Sequence, residues 1–390
     1  MRIAVDAATW ANGRGYGRFT REIVGAAARL DSGHRFVLVG DAGSLPAAAD
    51  AFDIVHAAVQ VPPATAASAN GYRSARDLAV MSRALASASA DCIFFPTVYT
   101  YVPVMTRTPV VVGVHDVIPE RLPEEVFPTA RSRWLWTIKV RAALFQAARV
   151  MTVSLHARAG ILEQLGVHPS RIRIVPEAPA AIFRPDADVA PGVAALLAAG
   201  QPGDARILLY VGGVAPHKNL DALVRCVNAI TKRPAFADVI LVIAGDYARD
   251  VFHSSYPRLR AQLDDGGETR VVFTGRLDDP AIAGLMRLAQ ALVLPSFDEG
   301  FGLPGIEAAA CGTAVVATRN SALPDVLGDA ALYIDPRDEP ALQAALERVL
   351  GDPILRASMG ARGSERARLC TWDAAARSLL DLFEELEHPR

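Results

Sequence analysis

The sequence is poor in cysteine and lacks long apolar segments. Its four cysteines are far apart in the chain and form no CxxC pair, which predicts reduced thiols rather than a disulfide framework or a zinc site: Cys92, Cys226, Cys311 and Cys370. No run approaches the ~18 apolar residues of a membrane-spanning helix, and no apolar leader precedes the first strand-like residues. We therefore expect a cytoplasmic protein that does not span a membrane.

An excess of charge of one sign is also missing. The 390 residues carry a formal net charge of −2, which excludes a general nucleic-acid role because duplex binding needs many phosphate-neutralising Lys and Arg side chains. With 51% hydrophobic and 21% charged residues, disorder and fibrous structure are excluded too. The first 180 residues are nevertheless net basic and the remainder net acidic, so an anionic partner would suit the first half.

Short β-branched runs alternate with Ala/Leu/Arg-rich segments of helical length, a pattern typical of parallel α/β sheets. We predict helices over 15–30, 74–88, 129–147 and 155–165. The predicted strands are 2–7, 34–40, 90–96, 109–116, 148–154 and 172–177, then 207–213, 238–245, 269–275, 291–296, 313–318 and 331–335.

The restart of the pattern near 207 and the length of the chain predict two doubly wound, Rossmann-like domains. We assign 1–178 to an N-terminal, acceptor-side domain and 179–202 to a Pro/Ala/Gly-rich linker. The C-terminal, donor-binding domain covers 203–370, and a final helix over 371–390 is expected to cross back to the N-terminal domain. Two such domains are expected to face each other across a cleft, with ligands at the carboxyl ends of the strands.

The most informative segment runs from Pro295 to Gly312. An apolar strand leads into a Gly-rich turn, and Pro304 suits the start of the Ala-rich helix that follows. The backbone amides of 300–304 and the positive end of this helix favour an anion. Glu299 precedes the turn and Glu307 lies about one helical turn inside, so the two carboxylates would lie on either side of a phosphate and accept hydroxyl protons.

This segment resembles the E-x7-E region of retaining glycosyltransferases of family 4, which have the two-domain GT-B fold. The resemblance implies that Glu299 contacts the donor sugar and Glu307 the nucleotide ribose. It also assigns the intervening turn to donor binding: Gly300, Phe301, Gly302 and Leu303.

The turn after the first strand of the second half contains Gly212, Gly213 and Lys218. Glycines allow close approach of a ligand to the backbone, and a lysine supplies a point charge for phosphate. Similarity to the donor-diphosphate loop of the family implies that Lys218 binds the pyrophosphate. Many members carry an arginine where this chain has Gly212 and Gly213, so either backbone amides or another arginine would assist Lys218.

The first loop carries the Gly-rich stretch Asn12 to Phe19. A nicotinamide oxidoreductase is an alternative here, but the spacing fails because Arg18 stands where a dinucleotide fingerprint needs its third glycine. The stretch instead resembles the G-[IY]-G-R-[YF] loop of a family subgroup. That implies donor contacts at Gly15 and Gly17, with Arg18 on the acceptor side.

His115 and Asp116 end the apolar strand over 109–114. The match to the H-D-x-I-P form of the family's cleft histidine implies that His115 contacts the transferring sugar and is catalytic, together with Glu299 and Lys218. Asp116 would orient the imidazole ring or the adjacent loop. Ser154, at the end of another predicted strand, resembles an acceptor-side position of the family.

Two further sites concern the nucleotide and metal. The family places the base beside the turn at 274–279, so Leu277 and Asp279 are candidates for base contacts, without deciding between guanine and uracil. Asp186 and Asp188 form a DxD, the metal-diphosphate motif of a different transferase fold, but they lie in the predicted linker and we interpret them as solvated. We expect no metal and no cofactor beyond the nucleotide-diphosphate sugar.

These features predict a retaining glycosyltransferase with front-face substitution, acting on a saccharide or lipid-linked saccharide. The motif combination resembles bacterial surface-polysaccharide enzymes, including lipopolysaccharide mannosyltransferases, so GDP-mannose is the favoured donor. Alternatives are a UDP- or dTDP-sugar transferase, a sugar-nucleotide epimerase of similar fold and a sugar-nucleotide-binding protein without transferase activity.

One segment has two interpretations. Residues 126–162 contain no Asp or Glu, but they include several basic and aromatic side chains: Arg131, Arg133, Trp134, Trp136, Lys139, Arg141, Phe145, Arg149 and Arg158. Trp134, Ile138 and Phe145 share a helical face and could pack on the sheet. Alternatively, the segment is a basic surface that makes peripheral contact with anionic lipid at the inner face of the cell membrane.

Overall fold

The computed structural model describes residues 1–13, 15–30, 32–46, 52–60, 74–189, 205–247, 254–264 and 270–387. These residues form two compact units, Met1–Glu177 with Trp372–Arg390 and Ala178–Thr371. Most of the predicted linker, from residue 190 onward, lies outside the described residues. Its described part belongs to the second unit, where Phe183 and Ala187 are buried and the Ala187 carbonyl accepts a hydrogen bond from Arg287.

The first unit is built on a parallel sheet with strand order β3-β2-β1-β4-β5-β6-β7. Ile3 on β1 pairs with Phe36 on one side and Cys92 on the other, which places β1 in the interior of the sheet. All six strand pairings are parallel, so the carboxyl ends of the strands lie at one edge. The strands are β1 (Arg2–Asp6), β2 (Arg35–Gly40), β3 (Asp53–His56), β4 (Cys92–Phe95), β5 (Val110–Gly113), β6 (Ala147–Thr152) and β7 (Ile172–Ile174).

Helices of the first unit connect these strands. Thr129 caps the longest of them through a reciprocal pair of hydrogen bonds with Ser132, which fixes its start after Pro128. The helices are α1 (Gly15–Arg29), α2 (Ala75–Ser87), α3 (Ile118–Arg121), α4 (Pro123–Val126), α5 (Ala130–Gln146) and α6 (Leu155–Gly160), the last continued by one π-helical turn over Ile161–Leu165.

The second unit repeats the design with strand order β10-β9-β8-β11-β12-β13, again all parallel. Its strands are β8 (Arg206–Val211), β9 (Val239–Ala244), β10 (Val271–Gly275), β11 (Ala291–Leu294), β12 (Val315–Thr318) and β13 (Ala331–Ile334). Its helices are α7 (Leu220–Thr231), α8 (Tyr256–Asp264), α9 (Asp279–Leu288), α10 (Leu303–Ala310), α11 (Leu323–Leu327), α12 (Glu339–Gly351) and α13 (Pro353–Leu369).

The last helix, α14 (Trp372–Glu387), is part of the first unit. Its Phe383 ring is fully buried 5.7 Å from that of Phe94 on β4, and the Trp372 ring lies 6.1 Å from Phe19 on α1. Arg173 on β7 donates to Glu385 at 2.7 Å. Apolar burial and an ion pair therefore hold α14 on this unit.

The fold class predicted from the sequence, two parallel α/β domains, is confirmed. Every predicted strand is present with small shifts of its ends, and β3 is the one that the pattern missed. It has only four residues, and Asp53 and His56 at its ends are exposed, so it lacks the continuous apolar run of a buried strand. The short helices α3 and α4 were missed as well.

Helix α5 corrects one interpretation of the basic segment. Its buried face is formed by Trp136, Val140, Ala143 and Leu144. Trp134, Ile138 and Phe145 lie on the opposite side and are 62%, 46% and 94% exposed. The expectation that these three residues pack on the sheet is wrong, because the sheet is covered by the other apolar face of the same helix.

Two glycines of α1 have contrasting surroundings. A Cβ at Gly17 would lie 1.8 Å from the Asn12 carbonyl oxygen and 2.6 Å from that of Thr9, so α1 touches the loop after β1 at this point. Around Gly25 the nearest atom to such a Cβ is Arg29 Nη1, at 3.7 Å. Gly17 is therefore needed for a close backbone approach, whereas Gly25 is not.

We expect Gly17→Ala to lower the free energy of unfolding by about 1–3 kcal/mol, since the loop backbone must shift to admit a methyl group. Gly25→Ala is the matched control and should raise it by about 0.5–1 kcal/mol, because alanine is the better helix former. Thermal unfolding of both variants checks this. Equal midpoints for the two would contradict the close approach of α1 to the loop.

Candidate active site

The strand order of the second unit reverses direction between β8 and β11, which are neighbours in the sheet. At such a switch point the loops after the two strands diverge and leave a crevice at the carboxyl edge, where doubly wound folds bind ligands. The loop after β8 carries Lys218, and the loop after β11 carries Glu299. Sequence reasoning had singled out both residues.

The turn after β8 is held by close backbone contacts. Gly212 has φ 153°, and a Cβ on Gly245, after β9, would lie 1.8 Å from the Gly212 carbonyl oxygen. The Gly213 carbonyl accepts a hydrogen bond from Tyr210 at 2.7 Å. Because Gly212 and Gly245 have no side chains, the loops after β8 and β9 can touch at this point. The loop after β8 then continues to Lys218.

Asn219 and His217, on either side of Lys218, anchor it to other loops. Asn219 adopts a left-handed conformation (φ 55°), and its side-chain amide donates to the carbonyls of Pro295 at 3.2 Å and Pro336 at 2.7 Å. The His217 carbonyl accepts from the Phe297 amide at 2.9 Å. Burial and the neighbouring Lys218 hold the pKa of His217 well below its usual value, so its ring is neutral.

Lys218 and Glu299 form an ion pair at the switch point. Lys218 Nζ donates to Glu299 Oε1 at 2.9 Å, and the Ser296 hydroxyl donates to the same oxygen at 2.6 Å. Both charged side chains are mostly buried but reach the surface. A cation and a carboxylate, held together in a crevice, can take a phosphate and a hydroxyl of the same ligand.

The turn before α10 matches the sequence prediction in its backbone. Gly302 precedes the helix with φ 82°, and a Cβ there would lie 2.5 Å from Leu323 Cδ2. Pro304 occupies the first turn, and the Gly305 amide donates to the Gly302 carbonyl at 2.8 Å. The positive end of α10 therefore lies at this turn, beside the buried residues Gly300, Phe301 and Leu303.

The two glutamates of the motif lie in different surroundings. Glu307 is inside α10 and only 3% exposed, whereas Glu299 precedes the helix and keeps part of its carboxylate at the surface. After β10, Leu277 and Asp279 are half-buried. Asp278, which the sequence did not single out, caps α9 through the Ala281 amide at 3.0 Å. The proposed ribose and base contacts stay predictions.

In the first unit, His115 follows β5 and is 6% exposed. Its Nδ1 lies 3.2 Å from Glu177 Oε1 and its Nε2 lies 2.8 Å from the Pro96 carbonyl oxygen. The ring is also packed edge-on against Phe19 and Tyr16, with centroids 4.6 and 5.2 Å away. His115 therefore joins the ends of β4, β5 and β7, and its predicted contact with a sugar would require one of these hydrogen bonds to open.

Asp116 orients the loop after β5 rather than the imidazole ring. Its Oδ1 accepts from the Ile118 amide at 3.1 Å, and its Oδ2 accepts from the Tyr16 hydroxyl at 3.2 Å. Burial, reinforced by Asp116, raises the pKa values of Tyr16 and Tyr99 well above the usual range. The Tyr16 hydroxyl therefore keeps its proton and remains a hydrogen-bond donor. The carboxylate that contacts the His115 imidazole is Glu177, which the sequence analysis did not identify.

Of the remaining first-unit candidates, Ser154 has a structural role. The Ser154 hydroxyl accepts from the Ala157 amide at 3.0 Å and caps α6. Gly15 opens α1 with no atom within 4 Å of an added Cβ, and Arg18 is half-buried one turn into this helix. Neither observation assigns them a ligand.

Glu120 on α3 is a titratable group that the sequence did not reveal. Its Oε1 accepts from the Trp136 indole at 2.7 Å, and burial raises its pKa to about 7, with a smaller contribution from nearby Asp116. A carboxyl with this pKa exchanges its proton near neutral pH. Glu120 thus adds a further carboxyl group, beside Asp116, to the carboxyl edge of the first sheet.

Family models match both units. Residues 13–178 match the model "Glycosyltransferase Family 4", and residues 205–352 match "Glycosyl transferases group 1". Together the two models account for most of the chain and include Lys218, Glu299 and His115. The chain belongs to the family 4 glycosyltransferases. The resemblance noted in the sequence is thereby confirmed at the level of the family.

Curated relatives of this chain include a D-inositol 3-phosphate glycosyltransferase from Thermobispora bispora, 30% identical over 61% of this chain and 56% of the relative. The O-antigen chain mannosyltransferase B of Escherichia coli is 31% identical over 46% of this chain and 45% of the relative. The chain spans about half the length of such relatives.

Among solved structures, a sucrose-phosphate synthase from Thermosynechococcus elongatus superposes with a TM-score of 0.76 at 20% identity, over 100% of both chains. This likeness confirms the GT-B fold. Within the described residues, no group of three or more His, Cys, Asp or Glu side chains is arranged to hold a metal ion, and no helix is long and apolar enough to cross a membrane.

The raised pKa of Glu120 generates a stability prediction. The folded protein binds the proton of Glu120 between about pH 4.5 and 7, where the unfolded chain releases it, so the free energy of unfolding falls as pH rises through this window. Glu120→Gln keeps an acceptor for Trp136 and removes the titration. Because Glu120 is partly solvent-exposed, we expect the variant to gain about 1 kcal/mol above pH 7.

Melting temperatures of both proteins between pH 4.5 and 8 measure this effect. Glu124→Gln on the adjacent helix α4 is the matched control, because the Glu124 side chain is 91% exposed. Its curve should run parallel to that of the unmodified protein. A Glu120→Gln curve that is also parallel would show that Glu120 titrates as an ordinary surface carboxyl.

Proposed function

We propose that this protein transfers a sugar, with retention of anomeric configuration, from a nucleoside diphosphate donor to a saccharide or lipid-linked saccharide. The observation that carries the proposal is the Lys218–Glu299 pair at the switch point of the second unit, with the positive end of α10 beside it. A phosphate group suits Lys218 and the helix end, and a sugar hydroxyl suits Glu299.

In this mechanism the bond between the sugar C1 and the diphosphate oxygen breaks while the acceptor oxygen bonds to C1 on the same face. The acceptor proton passes to the departing diphosphate, which therefore needs no protein base. Lys218 and the α10 dipole stabilise the negative charge that grows on the leaving group. Lys218 is already positioned by Glu299, so little reorganisation accompanies the step.

GDP-mannose is the donor that we propose. Its support is the mannosyltransferase named among the curated relatives, together with the sequence motifs of the first unit. A second candidate is transfer to a polyol phosphate, favoured by relatives named D-inositol 3-phosphate glycosyltransferase. UDP- and dTDP-sugars remain in the test as alternative donors.

A donor panel scored for nucleotide release, run with EDTA because the proposed reaction uses no metal, separates these candidates. Mannose and inositol 3-phosphate serve as trial acceptors alongside oligosaccharides. Release from GDP-mannose that rises with a saccharide acceptor supports the proposal. Release without any acceptor and with an altered sugar would identify an epimerase instead, and a strict Mg²⁺ or Mn²⁺ requirement would contradict the mechanism.

Variants of the two glutamates test their division of labour. Glu307→Gln should weaken GDP binding about 10- to 100-fold, the loss expected for one hydrogen bond to a charged group. Glu299→Gln should leave GDP affinity equal or slightly higher, because Lys218 is released from its carboxylate, while turnover of GDP-mannose falls. Calorimetry with GDP gives both affinities. Unchanged GDP affinity in Glu307→Gln would overturn the ribose assignment.

We also propose peripheral contact with an anionic lipid surface through α5. Five residues three or four positions apart form one exposed stripe on this helix: Arg131, Trp134, Ile138, Arg141 and Phe145. Met105 is 91% exposed, and the adjacent Val104 amide donates to Gln146 at the same end of α5 as Phe145. Apolar side chains interleaved with arginines suit the boundary between acyl chains and anionic headgroups.

Co-sedimentation with anionic liposomes at low salt is the expected result, with release at high salt because each surface cation contributes about 1 kcal/mol that salt screens. Exchanging both arginines of the stripe, Arg131→Ala with Arg141→Ala, should abolish it. Arg348→Ala with Arg368→Ala makes the same change of charge on exposed arginines of the second unit and should not. Failure to bind at low salt would favour a soluble saccharide as acceptor.

A further inference from the structure

Ser296 lies at the centre of the switch-point site, yet neither the motif nor the family resemblance assigned it a role. It lies two residues after the end of β11, is 0% exposed, and its hydroxyl donates to Glu299 Oε1 at 2.6 Å. A fully buried hydroxyl with a short bond to a carboxylate restricts the rotamer of that carboxylate.

The two oxygens of Glu299 are used differently. Oε1 accepts from both Ser296 and Lys218, whereas Oε2 accepts no hydrogen bond from the described residues. Because the Glu299 side chain reaches the surface, Oε2 is the atom left for a ligand hydroxyl. Oε1 thus holds the carboxylate in place, and Oε2 is available to bind the ligand hydroxyl.

The backbone on both sides of Glu299 is held independently of its side chain. The Phe297 amide donates to the His217 carbonyl at 2.9 Å, and the Glu299 carbonyl accepts from the Ala322 amide at 3.1 Å. The direction of the carboxylate therefore depends on Ser296 and Lys218 alone among the described contacts. Once Lys218 is drawn to a diphosphate, Ser296 is the remaining contact that keeps Oε1 in place.

We propose that Ser296 is a positioning residue that holds Glu299 with Oε2 directed at the donor sugar. This inference rests on the proposed function and adds to it the reason why Glu299 keeps its orientation when its cation is shared with the donor. It requires that Ser296 act through Glu299 and have no effect of its own on nucleotide binding.

A double-mutant cycle tests this requirement with Ser296→Ala, Glu299→Gln and the combined variant. Ser296→Ala should lower kcat/KM for GDP-mannose about 10- to 100-fold, as expected when a binding group is misplaced. Its affinity for GDP by calorimetry should remain within about twofold of the unmodified protein. In the Glu299→Gln background, Ser296→Ala should cause no further loss, because the group that it positions is already gone.

Thr313→Val is the matched control for a purely structural effect. The Thr313 hydroxyl is buried and donates to the Met286 carbonyl at 2.6 Å, just before β12 and away from the carboxyl edge of the sheet. This variant should lower the melting temperature about as much as Ser296→Ala while leaving kcat/KM unchanged.

The outcomes distinguish the two proposals. If the unmodified protein turns over no donor of the panel, the proposed function fails, and the role of Ser296 fails with it. If the unmodified protein is active and Ser296→Ala behaves like Thr313→Val, only the positioning role is overturned. Additive losses in the double-mutant cycle would also overturn it, since they would show that Ser296 does not act through Glu299.

Discussion

Parallel strand pairing brings together the side chains on which the site depends. Lys218 and Glu299 are 81 positions apart in the chain, yet their side chains meet because β8 and β11 pair directly and run in the same direction. In a parallel sheet all carboxyl ends lie at one edge, and the reversal of strand order opens a crevice there. This one pairing therefore brings Lys218 to Glu299 and places the turn before α10 beside both of them.

Within that frame, each carboxylate has its properties set by its partners. Glu299 is held by a cation and a hydroxyl and remains accessible, whereas Glu307 is enclosed in α10. Burial raises the pKa of Glu120 to about 7, although the hydrogen bond from the Trp136 indole acts in the opposite direction. Glu177 faces the imidazole of His115. Similar side chains thus acquire four different chemical roles from their surroundings.

The two units share an architecture but differ in what their edges offer. The second unit presents a lysine, a carboxylate and a helix end, a combination suited to a diphosphate-linked sugar. The first presents tyrosines, carboxyls and a histidine with both nitrogens engaged, and carries an outer helix that is apolar on two sides. This contrast agrees with a division into a donor side and an acceptor side, as we propose.

Much of the fold was predictable from the sequence, because apolar runs of four to six residues between turn residues identify buried parallel strands almost one by one. β3 was not, since its exposed ends break the pattern. The site was predictable where a motif is local, as in the turn from Glu299 to Leu303. It was not predictable where partners come from distant loops, as with Glu177 for His115 or Asn219 for Pro336.

The sequence by itself determined the periodicity of strands and helices, the glycines and prolines of the turns, and the residue types of the site, because these depend on neighbours along the chain. Only the tertiary structure decided which side of α5 is buried, since both of its faces are apolar and periodicity cannot choose between them. It likewise decided that one oxygen of Glu299 is shared by Ser296 and Lys218. Such contacts depend on which strands pair, and pairing is a property of the whole sheet.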